Sequence, residues 1–244
     1  MSAKKDRIDR LLVERGLFDS RAKAQAAIEA GLVSANAAPI RKASDEIAVD
    51  AALSATPAHP YVSRGGVKLA AALDHFGFDP RGRVCLDFGA STGGFTQVLL
   101  ERGTKLVYAI DVGRGQLHES LRGRPEVASY EETDIRACSP ARFRATPNLV
   151  TVDVSFISLK LVLPPALKLV AHHTQVVVLI KPQFEVGPTQ VKKGIVRDAA
   201  LHAAVCADIS AFVVSLGWRV IGVIPSPIAG GDGNAEFLLG AVRD

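Results

Sequence analysis

The chain has 244 residues, 48% of them hydrophobic and 22% charged, with 29 Lys and Arg against 25 Asp and Glu. That composition excludes wholesale disorder and fibrous repeats, and the length provides for one large or two unequal domains. A net charge of +4 and a sequence pI of about 9.0 favour a polyanionic partner.

The 3 cysteines, Cys85, Cys138 and Cys206, form no CxxC and no Cys/His spacing suited to zinc, so no metal site is expected and the chain reads as cytoplasmic. Residues 1–10 lack the apolar core of a signal peptide, and no apolar run reaches the ~20 residues needed to cross a bilayer. No membrane partner is expected.

Ile8, Leu11 and Leu12 share one face of a helix expected over 7–15, which Gly16 stops. Ser20 caps a second helix that buries Ala24, Ala27 and Ile28 and ends at Gly31. Leu32, Val33, Asn36, Ile40, Ile47 and Val49 then scatter among turn residues, as in a small hairpin sheet. Segment 51–60 is Ala/Pro-rich without periodicity, which places a small α+β domain at 1–58, a linker at 59–63 and a larger domain at 64–244.

Strands are expected at 83–88, 105–111, 148–154, 175–181, 219–225 and 236–242, with a further one ahead of Asp134, and helices at 67–76, 94–102, 161–170 and 199–216. Such alternation gives an α/β, Rossmann-like domain with a mostly parallel sheet covered by helices on both faces.

Strand VCLDF runs into GASTGGF, which sets Asp87, Gly89, Ala90, Ser91, Thr92, Gly93, Gly94 and Phe95 at a strand-to-helix turn. Glycines there let the backbone approach a ligand, and free N–H groups at a helix start are donors. Asp111 ends the next strand, where a carboxylate can accept both hydroxyls of a ribose. Together these features point to a nucleoside cofactor. The GASTGG spacing departs from GxGxxG and follows a helix inside the domain, which favours S-adenosylmethionine over a dinucleotide, with Asp134 as candidate for the adenine amino group. Asp153 and Lys181 end strands at the carboxyl edge, where open α/β sheets bind ligands. Phe95 and Phe156 are expected to pack in the core.

Arg7, Arg10, Arg15, Arg21, Lys23, Arg41 and Lys42 punctuate the small domain and can track a phosphate backbone. In the large domain Arg64, Arg114, Lys192, Lys193 and Arg197 are candidates for phosphate contacts beside the cofactor.

Spelling narrows these readings. Arg7, Asp9, Gly16, Ser20, Arg21, Gly31, Val33 and Asn36 match the pattern of the S4-like RNA-binding domain, except that Ala37 replaces the Gly usual after Asn and weakens the type I′ turn signal. Lys68, Asp153, Lys181 and Glu236 resemble the Lys-Asp-Lys-Glu tetrad of FtsJ-like RNA 2′-O-methyltransferases. SRGG, DVGRGQLHESLRGRPEV, VTVDVSFISL, LIKPQFE, KKGIVRD and GGDGNAEFLL, in order, are similar to the TlyA family, whose members join both domains.

The resemblance implies a class I methyltransferase sheet, S-adenosylmethionine as cofactor, the tetrad as catalytic residues, and methylation of a cytidine ribose 2′-hydroxyl in ribosomal RNA. The expected partners are therefore ribosomal RNA or ribosomal subunits. A ribose hydroxyl is a poor nucleophile, so its proton must be removed or shared during transfer, and Lys181 is the candidate base, oriented by Asp153. No cysteine falls at a strand end beside the tetrad, which argues against pyrimidine C5 chemistry, and Asp153-Val154-Ser155-Phe156 departs from the Asn/Asp-Pro-Pro-aromatic pattern of amino-group methylation. Two other classes remain alternatives: a non-catalytic RNA-binding or ribosome-assembly module, and a haemolysin, a label that TlyA relatives carry.

Overall fold

Ser20 accepts a hydrogen bond from the Lys23 amide at 3.4 Å and starts the longer helix of the first unit, Met1–Pro60. The second unit is Tyr61–Asp244, and the computed structural model describes residues 4–230 and 233–244. In the first unit the elements are β1 (Lys5–Arg7), α1 (Ile8–Glu14), α2 (Arg21–Glu29), β2 (Val33–Ala35), β3 (Ala38–Pro39), β4 (Glu46–Ala48) and β5 (Leu53–Ala55). Ile8 and Leu12 of α1 meet Ala24, Ala27 and Ile28 of α2 over Val33 and Ile40. β1 pairs with β4, and β3, β2 and β5 form a separate three-stranded sheet.

The register Ala35↔Ala38 leaves Asn36 and Ala37 as a two-residue turn, with φ of 48° and 64°. Positive φ at both central positions is what a type I′ turn requires. The turn therefore forms with Ala37 in place of glycine, helped by Asn36 Oδ1, which accepts from the Ala52 amide at 2.9 Å. A left-handed alanine costs roughly 1–2 kcal/mol, offset in part by the greater unfolded-state freedom of glycine, so Ala37→Gly should stabilise this hairpin by about 0.5–1 kcal/mol. Slower hydrogen exchange of the Asn36 and Ala52 amides would register the gain; unchanged or faster exchange would contradict it.

The second unit contains α3 (Gly65–Phe76), β6 (Val84–Phe88), α4 (Gly94–Glu101), β7 (Leu106–Ile110), β8 (Val127–Tyr130), β9 (Leu149–Val152), α5 (Leu159–Leu167), β10 (Thr174–Ile180), α6 (Ala199–Ser215), β11 (Arg219–Pro225) and β12 (Phe237–Arg243). Its sheet runs β11-β12-β10-β9-β6-β7-β8, parallel from β10 to β8, with β12 antiparallel to both its neighbours. Alternate side chains divide between the faces. Cys85, Val107, Leu149 and Val177 meet α3 and α4 through Leu69, Leu73, Phe95 and Leu99. Leu86, Tyr108, Val150 and Val178 meet α5 and α6 through Val162, Leu163, Ile209 and Val213.

Two details of this frame bear on the site. A Cβ on Gly94 would lie 2.1 Å from Ser63 Oγ and one on Gly66 2.3 Å from the Tyr61 ring, so the SRGG segment seats the starts of α3 and α4 closely together. Helix α5 begins two residues before the expected 161 because its first turn is capped twice. Ser158 Oγ accepts from the Lys160 amide at 3.2 Å, and Glu185, from the loop after β10, accepts from the Leu159 amide at 2.8 Å.

Candidate active site

Parallel pairing of Val178 with the last residue of β9, Val152, lets β10 run two residues further, and antiparallel pairing of Ile180 with Phe237 sets Glu236 one rung beyond β10, opposite Lys181. The carboxyl edge of the sheet thus collects Asp153, Lys181 and Glu236 from segments far apart in the chain. Lys181 Nζ lies 2.6 Å from Asp153 Oδ1 and donates to Ser155 Oγ at 2.8 Å. Lys68, on the first turn of α3, forms an ion pair with Glu236, and both are buried. The tetrad is therefore two amine–carboxylate pairs on adjoining positions of one edge.

Beside it, the loops after β6, β7 and β9 enclose a cavity of about 500 Å³. Among the residues expected to hold a cofactor, Gly89, Ser91, Asp111, Asp134 and Asp153 line it. Gly89, Ser91 and Gly93 have φ of 81°, 47° and 94°, which bends the strand end back onto the start of α4. Asp111 accepts from the Ser91 amide at 2.8 Å and the Gly113 amide at 2.7 Å, tying the two loops together. Asp134 is held by Arg136, whose Nη2 lies 2.6 Å from Oδ2, and that hydrogen-bonded guanidinium keeps the Asp134 carboxyl below the usual carboxylate range. Ala90, Thr92, Gly93, Gly94 and Phe95 do not line the cavity; they shape the turn or, as Phe95, enter the core as expected.

Asp87 departs from its expected role. It is fully buried behind the cavity and accepts from the hydroxyls of Thr96 at 2.6 Å and Thr151 at 2.9 Å, so it fastens the turn to β9. Burial pushes its carboxyl up to about 7, opposed by the two threonine donors and reinforced by the charge of Asp153. An acid raised in the folded state above its ordinary ~3.9 binds more protons folded than unfolded, so its contribution to stability is complete below pH ~4 and is lost as pH rises towards 7. Asp87→Asn should therefore raise Tm at pH 8 and leave it nearly unchanged at pH 4; equal shifts at both values would count against a buried, proton-holding Asp87.

The expectation for Phe156 is overturned. It is 91% exposed, in the left-handed region at φ 63°, and its ring lies 4.9 Å from that of Phe184. The bend after Ser155 turns the side chain outward onto the rim of the cavity, although the preceding strand residues run inward. Val112, Gln116, Arg136 and Ser155 also line the cavity and lacked a signal in the sequence beyond proximity to Asp111, Asp134 and Asp153.

The cationic residues fall into three groups. Arg7 and Arg21 grip Asp9, which is fully buried, and their guanidinium groups hold its carboxyl well below the usual range. Arg15 donates to the Ala51 carbonyl at 2.5 Å and to that of Val49, and Arg64 donates to the Ala229 and Gly230 carbonyls, bracing the segment that leads to Glu236. These four make contacts within the fold, and the Arg7 and Arg21 side chains stay 41% and 54% exposed. Arg10, Lys23 and Arg114 make ion pairs with Asp6, Asp19 and Glu132. Arg41, Lys42, Lys192, Lys193 and Arg197 are exposed, Lys192 and Lys193 on a tight hairpin in which Lys192 and Ile195 pair.

The FtsJ-like methyltransferase family model matches residues 61–243, and the S4 domain matches residues 6–52. The 16S/23S rRNA (cytidine-2′-O)-methyltransferase TlyA of Mycobacterium tuberculosis is 42% identical over 97% of this chain and 90% of its own length. Hemolysin A of Brachyspira hyodysenteriae is 37% identical over 95% of this chain and 98% of its own. A solved structure of a hemolysin-labelled protein from Streptococcus thermophilus, 42% identical, superposes with a TM-score of 0.79 over 99% of this chain and 90% of that one. Among the described residues no helix is long and apolar enough to cross a membrane. With a methyltransferase sheet, an S4 domain and whole-chain identity of this extent, the chain belongs to the FtsJ-like methyltransferases, in the TlyA group that joins that fold to an S4 domain.

Proposed function

We propose that the protein transfers the methyl group of S-adenosylmethionine to the 2′-hydroxyl of a cytidine ribose in ribosomal RNA of the large subunit. One observation carries the reading: the Lys181–Asp153 and Lys68–Glu236 pairs occupy adjoining positions at the carboxyl edge of the sheet, beside a cavity of nucleoside size. The cofactor fits the residues present. Asp111 keeps lone pairs for ribose hydroxyls, Asp134 also lines the cavity and can accept from the adenine amino group, and the Gly89–Gly93 turn leaves room for a close backbone approach.

S-adenosylmethionine, when bound, supplies a methyl carbon on a positively charged sulfur. Lys181 takes the proton of the 2′-hydroxyl as its oxygen attacks, and Asp153 holds the amine in place. The buried Lys68–Glu236 pair stiffens the adjoining edge and adds a second cation near the oxygen. Exposed Phe156 offers a ring face to the target base, and Lys192, Lys193, Arg197, Arg41 and Lys42 offer charges to RNA phosphates. In this reading residues 1–58 read RNA, 59–63 link, and 64–244 catalyse, in the cytoplasm where ribosomal RNA is found.

Separated ribosomal subunits incubated with the protein and labelled cofactor, then digested to nucleosides, should yield 2′-O-methylcytidine. Label on a cytosine base, or no label above a cofactor-only blank, would overturn the assignment.

A further inference from the structure

Lysine amines have three directions beyond Cε, filled by two N–H bonds and a lone pair when neutral. At Lys181 one of these directions has a hydrogen-bond partner within the protein, and a carboxylate stands beside the amine as its ion-pair partner. Asp153 Oδ1 stands 2.6 Å from Nζ, and Ser155 Oγ accepts from Nζ at 2.8 Å. Only 11% of the Lys181 side chain is exposed, whereas Ser155 is exposed and lines the cavity. Both oxygens belong to the loop after β9, so among the described residues they hold the amine from one side.

The position of Ser155 is built rather than incidental. Its neighbour Phe156 is held in the left-handed region, at φ 63°, against Phe184 at 4.9 Å. Three residues on, Ser158 donates to the Glu185 carboxylate at 2.6 Å, and the Leu159 amide donates to it at 2.8 Å. Phe184 and Glu185 lie just after Lys181 in the chain. The loop that carries Ser155 is thus fastened at two points to the loop that carries Lys181. A hydroxyl suits this place because it accepts from the amine without adding the second negative charge that would favour the ammonium form.

Resting on the proposed methyl transfer, we propose that Ser155 is a positioning residue: it accepts a hydrogen bond from the Lys181 amine, beside the Asp153 carboxylate, and so aims the amine at the ribose 2′-oxygen. The hydroxyl touches neither methyl nor ribose. It acts through the lysine, and the quantity it controls is the fraction of time the amine points at the reacting oxygen.

Full-length wild-type protein, Ser155→Val and Ser155→Thr would be compared in steady-state methyl transfer to ribosomal subunits, with S-adenosylhomocysteine binding measured by calorimetry on each. Val and Thr have the same shape, and only Thr keeps the acceptor. Ser155→Val should lower kcat roughly 10- to 100-fold, with KM for both substrates and S-adenosylhomocysteine affinity within about twofold of wild type. Ser155→Thr should recover kcat to within about threefold. Full activity in Ser155→Val overturns the assignment, as does a raised KM for S-adenosylmethionine at unchanged kcat, which would make Ser155 a cofactor contact. Equal losses in Val and Thr overturn it too, since bulk rather than the hydroxyl would then be responsible. Absence of transfer by the wild type would instead bring down the proposed function, and this inference with it.

Discussion

Lys181→Ala is expected to lower methyl transfer at least 10³-fold, within the range a positioned acid–base group contributes, while S-adenosylhomocysteine still binds within about twofold of wild-type affinity. The physical basis is the placement of the amine: it ends β10, contacts Asp153 and Ser155, and does not itself line the cavity expected to hold the cofactor. Asp153 is 21% exposed even with Lys181 in place, so water can solvate it when the amine is removed and the fold should survive. Lys68 is a poorer probe of chemistry. Its partner Glu236 is 5% exposed, and deleting one member of a buried ion pair costs roughly 3–5 kcal/mol. Calorimetry with S-adenosylhomocysteine beside a transfer assay checks the Lys181 expectation, and joint loss of binding and transfer would remove Lys181 from the role of base.

Gly89→Ala should have the second large effect, by a different route. A Cβ at position 89 would sit 2.3 Å from the Asp153 carbonyl oxygen and 2.8 Å from its carbon, and Gly89 has φ of 81°. Both obstacles are backbone, so the loops after β6 and β9 must separate, and the left-handed alanine adds roughly 1–2 kcal/mol of strain. Separation would also strain the bond from the Asp153 amide to the Phe88 carbonyl, now 2.9 Å. Cofactor affinity and methyl transfer should therefore fall together, each by 100-fold or so, together with a lower Tm. Affinity within threefold of wild type would show that the close approach of the two loops is dispensable.

Periodicity made the frame legible because its strands are apolar on both faces and its helices are punctuated by local caps. Helix α2 begins at Ser20 and helix α3 ends at Gly77, both signals within one turn of the boundary. The start of α5 was not legible, since part of its cap comes from Glu185, a residue 26 positions downstream of Leu159. The same limit applies at the site. Asp153, Lys181 and Asp111 could be placed because strand ends point to the carboxyl edge in any sheet of this topology.

Asp87 could not be placed that way: whether a strand-end carboxylate faces the ligand or turns back to Thr96 and Thr151 depends on side-chain partners across the sheet. The internal contacts of Arg64 and Arg15 were not legible for a related reason. Their acceptors are backbone carbonyls, Gly230 and Ala51 among them, and carbonyls carry no sequence signal. Phe156 looks like core by residue type, and only its left-handed backbone turns it outward.

The central claim is that four side chains from distant segments act as one unit on one oxygen, and non-additivity tests it most directly. Single-turnover rates of methyl transfer would be measured for Lys68→Met, Asp153→Asn, Lys181→Ala, Glu236→Gln and the fourfold variant, with S-adenosylhomocysteine binding confirming a folded site in each. Residues that work together lose most of their effect with the first removal, so the fourfold variant should be little slower than Lys181→Ala alone. Losses that multiply across the four positions, or a Lys181→Ala protein that transfers methyl at the wild-type rate, would contradict the account.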